Sequence, residues 1–367
     1  MMEPNTLQRI FYHFGLNPLD WNCVSFGAGL INTTWVLKDQ QGHIKYILQK
    51  INHQVFKHPG DIDHNLRIIG AHLAATHPDY IFTAPYQAPD GKTLYHSPEG
   101  EYYRIFPFVH GSKSLDVVSQ PGQAYEASRS FARFSKMLND LDNSQLRDTL
   151  PHFHDLGLRY RQFNEAIQHA DGDVLAQATA QIAYLQSHED YVREWETLKH
   201  SKEFPVRVMH HDTKISNILF DKADKALCVI DLDTVMPGYF ISDVGDMMRT
   251  YLPPVSEEEQ DLSAIHVRPE YFKAIVSGYL SGMEGELTNL EQQQFLFAGR
   301  FMIYMQALRF LTDFLEGDIY YGARYEGHNL VRARNQIRLL ESLNREEDHF
   351  NAMLKEMIPS RPSIARN

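Results

Sequence analysis

The chain has 367 residues, 43% hydrophobic and 22% charged, enough to bury a large core and, by length, to form two domains rather than one. Its 35 Lys and Arg against 47 Asp and Glu give a formal net charge of −12, which disfavours nucleic-acid binding because neutralising phosphates needs a basic face. Two cysteines without a CxxC pair, and no apolar run long enough to span a bilayer, exclude a disulfide framework and a membrane segment, so a reducing, cytoplasmic setting is expected.

The first residues, "MMEPNTLQRIFYHFGL", lack the basic start and sustained apolar core of a signal peptide and read as a short amphipathic helix. "WNCVSFGAGLINTTWVLKD" follows as two strands around a glycine-containing turn, and "GHIKYILQKI" as a third strand. In "HPGDIDHNLRIIGAHLAA" the spacing of Ile62, Leu66, Ile69 and Leu73 predicts a helix. "KTLYHSPEGEYYRIFPFVHG" predicts two more strands joined by a turn at Ser97–Gly100. From about residue 121 the pattern changes. Tyr125, Phe131, Phe134, Leu138 and Leu141 fall on one helical face, and long helical patterns cover roughly 155–200, 256–283, 288–315 and 326–355. Only "VRVMHHD" and "NILFDKADKALCVIDLD" interrupt them as extended segments.

The expected class is therefore α+β, with an N-terminal lobe over residues 1–108 built on a small antiparallel sheet and a larger, mainly helical lobe over 109–367. The link falls at "VHGSKSLD", residues 109–116, and no internal repeat is present.

The chemistry concentrates in "MHHDTKISNILFD", residues 209–221. Transfer of a nucleotide's terminal phosphoryl group requires a base for the acceptor hydroxyl, ligands for a divalent cation, a cation on the phosphates and a backbone cradle. Asp212 and Asn217 are five apart, a spacing at which one short loop presents a carboxylate to a hydroxyl and an amide oxygen to a metal. Fourteen residues on, the apolar strand "CVIDLD" ends in Asp231 and Asp233, a carboxylate at a strand end is well held to bind Mg2+, and the intervening segment reads as a hairpin. Lys214 could neutralise charge developing on the transferred group.

Upstream, Gly27 and Gly29 supply a turn whose amides could lie over nucleotide phosphates. Lys50, favoured over Lys45 on the same strand, could reach those phosphates, and "IFPFVHG", with Phe106 and Phe108, is placed to meet the adenine through its backbone. A bare HxD, a GxG turn or a strand lysine is by itself ordinary loop, turn or surface chemistry; the joint pattern carries the reading.

Together these residues resemble the aminoglycoside phosphotransferase and choline kinase superfamily, which implies a bilobal, protein-kinase-like fold and use of ATP and Mg2+. The resemblance covers most of the chain, with "HHDTKISN" and "IDLD" its most specific elements. It implies that Asp212 is the catalytic aspartate, Asn217 and Asp231 the magnesium ligands, and His210 a brace for the loop. In "GYFISDVGDMMR" it places Asp243 beneath the catalytic loop, and the short interval from Asp231 leaves no long peptide-docking segment, so a small-molecule acceptor is implied.

More narrowly, "FGAGLINTTWVL", "YILQKINHQVFKHP" and "ALRFLTDFLEGDIYY" are similar to N-acetylhexosamine 1-kinases. That similarity implies a sugar acceptor, with Asn32, Arg309, Asp313 and Tyr320 as sugar contacts and His211 near the acceptor, although Arg309 and Asp313, four apart on a helix, also suit a mutual ion pair. One departure is that residues 51–98 contain no glutamate to hold the strand lysine, leaving Asp63 as a shorter stand-in. Oligomeric state is not indicated.

Other readings are a kinase for an aminoglycoside, choline, homoserine or methylthioribose acceptor, and a catalytically silent binding protein. A metal-dependent hydrolase would use His210, His211 and Asp212 as ligands, with His152, His154 and Asp155 as partner cluster. It would leave Asn217, "CVIDLD" and the glycine turn without a role.

Overall fold

A computed structural model describes residues 3–27 and 31–358. In chain order the elements begin with α1 (Pro4–His13), β1 (Asn22–Ser25), β2 (Thr33–Lys38), β3 (Ile44–Ile51), α2 (Pro59–Thr76), β4 (Tyr95–His96) and β5 (Tyr102–Pro107). Helices α3 (Pro121–Lys136), α4 (Leu156–His169), α5 (Gly172–Gln186) and α6 (Asp190–Leu198) follow. Four short strands come next: β6 (Arg207–Met209), β7 (Ile218–Phe220), β8 (Ala226–Val229) and β9 (Met236–Gly238). The chain then runs through α7 (Phe240–Tyr251), α8 (Pro269–Met283), α9 (Asn289–Gln293), α10 (Phe295–Leu315), α11 (His328–Arg345) and α12 (Glu347–Met357). Proline opens α1, α2, α3 and α8, at the position where a helix has no use for the missing N–H.

The chain divides into two compact units. The first comprises Met1–Ser114, Met137–Pro151 and Leu219–Pro237. Its five strands form one antiparallel sheet in the order β1-β2-β3-β5-β4. Ile10, Phe11 and Phe14 of α1 and its C-terminal flank pack with Leu37, Leu48 and Ile105 of the sheet, all almost fully removed from water. Helix α2 buries Ile62, Leu66, Ile69 and Leu73, the four positions whose spacing predicted it. One polar residue shares its inner side. Asn65, 1% exposed, donates to the carbonyls of Arg147 (2.8 Å) and Val235 (3.0 Å) and accepts from the Arg147 amide (2.9 Å), satisfying three backbone groups at once. Strands β7 and β8 pair as the hairpin the sequence predicted.

The second unit comprises Leu115–Lys136, His152–Ile218 and Gly238–Asn367. Its centre is α10, whose residues are nearly all buried, with α4, α7 and α11 packed around it. Helices α3 and α8 touch through two glycines. A Cβ at Gly278 would lie 2.4 Å from the Tyr125 carbonyl, and one at Gly282 2.5 Å from that of Arg129, so only a missing side chain allows this approach. An antiparallel sheet in the N-terminal part followed by a mainly helical remainder is the α+β class expected. Among the described residues no helix is long and apolar enough to cross a membrane.

The long helical patterns are cut more finely than the periodicity suggested. Residues 155–200 hold three helices, interrupted around Asp171 and Ser187–Glu189. Residues 256–268 form a loop with one 3-10 turn, Leu262–Ala264, and helix resumes only at Pro269, where proline can begin but not continue one. Leu138 and Leu141 lie past the end of α3.

Candidate active site

In the helical unit, β6 runs into residues 210–217, a segment held from the side by α7. The two oxygens of Asp243 each accept one amide: Oδ1 from His211 at 2.7 Å and Oδ2 from His210 at 3.1 Å. One turn further along α7, Asp246 Oδ2 accepts the Thr213 amide at 2.8 Å, and the Tyr251 hydroxyl donates to the Thr213 carbonyl. Asp246 is itself bound by Arg249, which also pairs with Glu257 at 2.7 Å. The backbone on both sides of Asp212 is therefore fixed by two buried carboxylates one helical turn apart. Burial, with Asp246 and Asp212 as like-charged neighbours, pushes the Asp243 carboxyl up to about 7 against the pull of the two amides.

Asp212 itself is half-buried, with Lys214 Nζ 3.2 Å from its Oδ2. Asn217 donates through Nδ2 to the Asp212 carbonyl at 2.9 Å, so the amide oxygen, the atom a cation needs, is not the one committed to that bond. His210 packs edge-on against Phe131, ring centroids 5.0 Å apart, and its Nδ1 accepts the Asp212 amide at 3.4 Å. His211 adopts φ +66°, the left-handed region that β-carbon-bearing residues avoid, and its ring meets His154, Nδ1 to Nδ1 at 3.3 Å. Gly238 makes room for it, since a Cβ there would come within 2.3 Å of the imidazole. The side chains of "HHD" thus turn to three different neighbours. Among the described residues no group of three or more His, Cys, Asp or Glu is placed to hold a metal ion.

Around His154, which the hydrolase reading set beside the loop as a metal partner, lies a cluster of aromatic rings and arginines. Phe153 stacks on His154, with centroids 4.4 Å apart, and the Arg309 guanidinium sits 5.3 Å over Phe153, 5.6 Å over Tyr320 and 5.4 Å over Tyr321. Desolvation, then His211 and the arginines Arg309, Arg159 and Arg249, hold the His154 imidazole well below its ordinary range. Arg309 bonds to Gln306 and Tyr320, and Arg159 to Gln162 and the carbonyls of His152 and Phe153; among the described residues neither has a carboxylate in ion-pair reach. Arg309 and Asp313 do not pair with each other. Asp313, 2% exposed, accepts the amides of Tyr320 (2.6 Å) and Tyr321 (2.9 Å) and the Asn329 side chain (3.0 Å), and so shapes the loop that presents the exposed Tyr320.

In the sheet-bearing unit, Gly27 has φ +71° and open space where a Cβ would lie; Gly29 lies outside the described residues. Asn32, just past that turn, spends both poles on the protein: Nδ2 donates to Asp233 at 2.7 Å and Oδ1 accepts the Asn52 amide at 3.0 Å. Asp233 also pairs with Arg104 at 2.6 Å, both side chains under 5% exposed, while Arg104 bonds Gln49 of β3 and lies 4.8 Å over the Phe106 ring. Asp231 is exposed and sits in the left-handed region at φ +57°, turned out of the strand direction by the 3-10 turn Leu232–Thr234 that Asp233 anchors. An exposed carboxylate on a fixed loop fits Mg2+, which takes oxygen ligands, keeps several waters and asks a nucleotide site for only one or two protein groups.

Lys50 meets Glu101 at 2.8 Å, whereas Lys45 lies 3.5 Å from Asp39 at the far end of β3. Asp63 does not serve Lys50: its oxygens are taken by Thr93 and by Arg67 at 3.1 Å. The Phe108 amide is spent on the Lys45 carbonyl at 2.9 Å, which removes one backbone donor from the segment expected to meet adenine.

Sequence reasoning missed Asp246, Arg104, Glu101 and Phe153 as parts of this machinery, and met His154 only in the hydrolase reading. Only Asp246 had a local signal, its i,i+3 spacing from Asp243 on an amphipathic helix.

A profile of the phosphotransferase enzyme family, APH, matches residues 22–280. Among solved structures, an aminoglycoside phosphotransferase from Alicyclobacillus acidocaldarius subsp. acidocaldarius superposes with a TM-score of 0.64 at 12% identity, over 97% of each chain. A spectinomycin phosphotransferase in complex with ADP and spectinomycin gives 0.61 at 14% identity, over 94% of this chain and 99% of that one. An amicoumacin kinase in complex with AMP-PNP, Ca2+ and Ami gives 0.60 at 16%, over 92% and 93%. At these identities the likeness is one of fold: the kinase-like arrangement of a small antiparallel sheet and a mainly helical remainder.

Proposed function

Because this chain belongs to the phosphotransferase enzyme family, we propose that it transfers the terminal phosphoryl group of ATP to a hydroxyl of a small molecule, with the anomeric hydroxyl of N-acetylglucosamine or N-acetylgalactosamine as its acceptor. The observation that carries the reading is Asp212, held by flanking amides on Asp243 and Asp246 and accompanied by Lys214. A carboxylate fixed in this way can orient an acceptor hydroxyl and take its proton as the oxygen attacks phosphorus and the bond to the ADP leaving group breaks. Lys214 sits beside that carboxylate, where its charge offsets the negative charge gathering on the transferred group. Asn217 and Asp231 are assigned as the residues that would hold Mg2+, which when bound would offset negative charge on the phosphates. AMP-PNP and ADP in two of the structural neighbours are in keeping with ATP as donor.

The surroundings of Arg309 support a sugar over a cationic acceptor. Burial, and after it the neighbouring Arg309, lower the Arg159 guanidinium from its ordinary value, and among the described residues neither arginine has a carboxylate in ion-pair reach. An aminoglycoside or choline would bring more positive charge to them, whereas a neutral sugar offers hydroxyls and a carbonyl to the guanidinium and an apolar face to Tyr320. The polar ends of Asn32 and Asp313 are engaged within the protein, so in this reading they shape the contacts that Arg309, Tyr320 and His211 make.

The test is acceptor-dependent ADP release across N-acetylhexosamines, hexoses, amino alcohols and aminoglycosides, with Asp212→Ala as control. The expected result is turnover with N-acetylhexosamines, reduced at least ~100-fold in the variant, the usual scale for a general base. Turnover with aminoglycosides alone would move the acceptor assignment, and undiminished activity of the variant would remove Asp212 as base.

A further inference from the structure

We propose that Glu101 is the positioning residue that holds Lys50 for the nucleotide's phosphates, so that the lysine is oriented from within the sheet and not from helix α2. This rests on the kinase reading and goes beyond it, since the sequence left the lysine's partner open. In kinase-like sites a strand lysine contacts the phosphates while a carboxylate from the neighbouring helix fixes its direction. Helix α2 carries only two carboxylates, and both are taken: Asp61 by Arg147 at 2.7 Å, Asp63 by Thr93 and Arg67. Its polar effort goes elsewhere, through Asn65, to the backbone of Arg147 and Val235.

Glu101 is fixed before any ligand arrives. Its carbonyl accepts the Ser97 amide at 2.8 Å, its own amide donates to Ser97 Oγ at 3.2 Å, and Gly100 at φ +84° closes the turn, with Ser97 2% exposed. The register pairs Lys50 with Tyr103 and Ile51 with Tyr102, which brings the strand's lysine beside the residue just before β5. There Glu101 Oε1 lies 2.8 Å from Lys50 Nζ, and Oε2 lies 3.5 Å from His53 Nδ1. Lys50 is 34% and Glu101 26% exposed, so the pair contributes little to stability. Its consequence is directional: the ammonium is kept at one place above the sheet. Because β3 and β5 are hydrogen-bonded neighbours, that placement does not depend on how α2 docks.

The experiment measures MgATP binding by calorimetry on the full chain, with KM and kcat alongside. Glu101→Gln should weaken nucleotide binding about tenfold, the scale of one charge-assisted contact, with a smaller change in kcat and an unchanged melting temperature without nucleotide. Glu101→Asp should recover part of the loss, Asp63→Asn should bind like wild type, and Lys50→Met/Glu101→Gln should be no weaker than Lys50→Met alone. Wild-type binding by Glu101→Gln, or an equal loss in Asp63→Asn, would overturn the assignment. A wild type that binds MgATP but phosphorylates no acceptor sinks the proposed reaction, while the variants' binding still decides the role of Glu101. A wild type that binds no nucleotide overturns both.

Discussion

Asp243→Asn separates loop placement from stability, because the two terms it changes oppose each other. In the wild type each carboxylate oxygen accepts one amide, from His210 and His211. An asparagine keeps one acceptor and turns an NH2 toward the other amide, so one charge-assisted bond of about 1.5–3 kcal/mol is lost and the loop on the N-terminal side of Asp212 is released. Against this, the substitution removes a buried charge. The folded-state value of about 7 exceeds the unfolded carboxylate's roughly 4. A group whose folded pKa is raised favours folding below the unfolded pKa, and that contribution is lost as pH rises toward the folded value. At pH 8 the ionised Asp243 therefore costs stability on the order of 4 kcal/mol in this linkage. That linkage cost is already net of the two amide bonds, so the neutral variant should melt at or above wild type at pH 8 while kcat falls roughly 100-fold.

The pH dependence gives the sharper reading. Two N–H donors, one to each oxygen, suit only the ionised carboxylate, so wild-type kcat should rise as pH passes up through about 7 while the group's stabilising contribution declines over pH 4–7. Asp243→Asn should lose both trends. Rate measurements from pH 5.5 to 9, with melting curves on the same samples, check this. A variant with wild-type kcat, or one that keeps the acidic limb, would refute the loop-holding role.

Breaking the Arg104–Asp233 pair by Asp233→Asn should destabilise the protein by about 3–5 kcal/mol, because it leaves a buried guanidinium uncompensated, and Arg104→Met/Asp233→Asn should cost much less than the sum of the singles; denaturant melts of all four proteins measure the cycle. Gly238→Ala should push His211 aside, lowering kcat roughly tenfold or more with KM for ATP unchanged in steady-state assays. Arg309→Lys should raise the acceptor KM while leaving the ATP KM as it was, since a point charge cannot reproduce the planar contacts over Phe153, Tyr320 and Tyr321.

Local pattern carried most of the fold and the centre of the site. The strands flanking Gly27, the helix at Ile62–Leu73 and the β7–β8 hairpin are all local signals of alternation, period and turn residues, and they stand where the pattern placed them. The helical pattern over 256–268 did not become a helix, because Pro253, Pro254 and Pro269 bracket it and Glu257 is drawn to Arg249 of α7 and Arg332 of α11. The parts of the site that were illegible are long-range pairs. Asn32 meets Asp233 across 201 residues, and Glu101 reaches Lys50 only through strand register. No periodicity encodes such partners. His154 shows the same limit: its three-residue cluster with His152 and Asp155 suggested a metal, yet its ring faces His211 and Phe153.

The central claim, phosphoryl transfer to C1 of an N-acetylhexosamine, is tested most directly by phosphorus NMR of the product formed from MgATP and N-acetylglucosamine or N-acetylgalactosamine. The account predicts a sugar 1-phosphate, its phosphorus coupled to the anomeric proton, appearing in step with ADP and absent with Asp212→Ala. A phosphate on any other hydroxyl, or ADP that accumulates equally without the sugar, would contradict it.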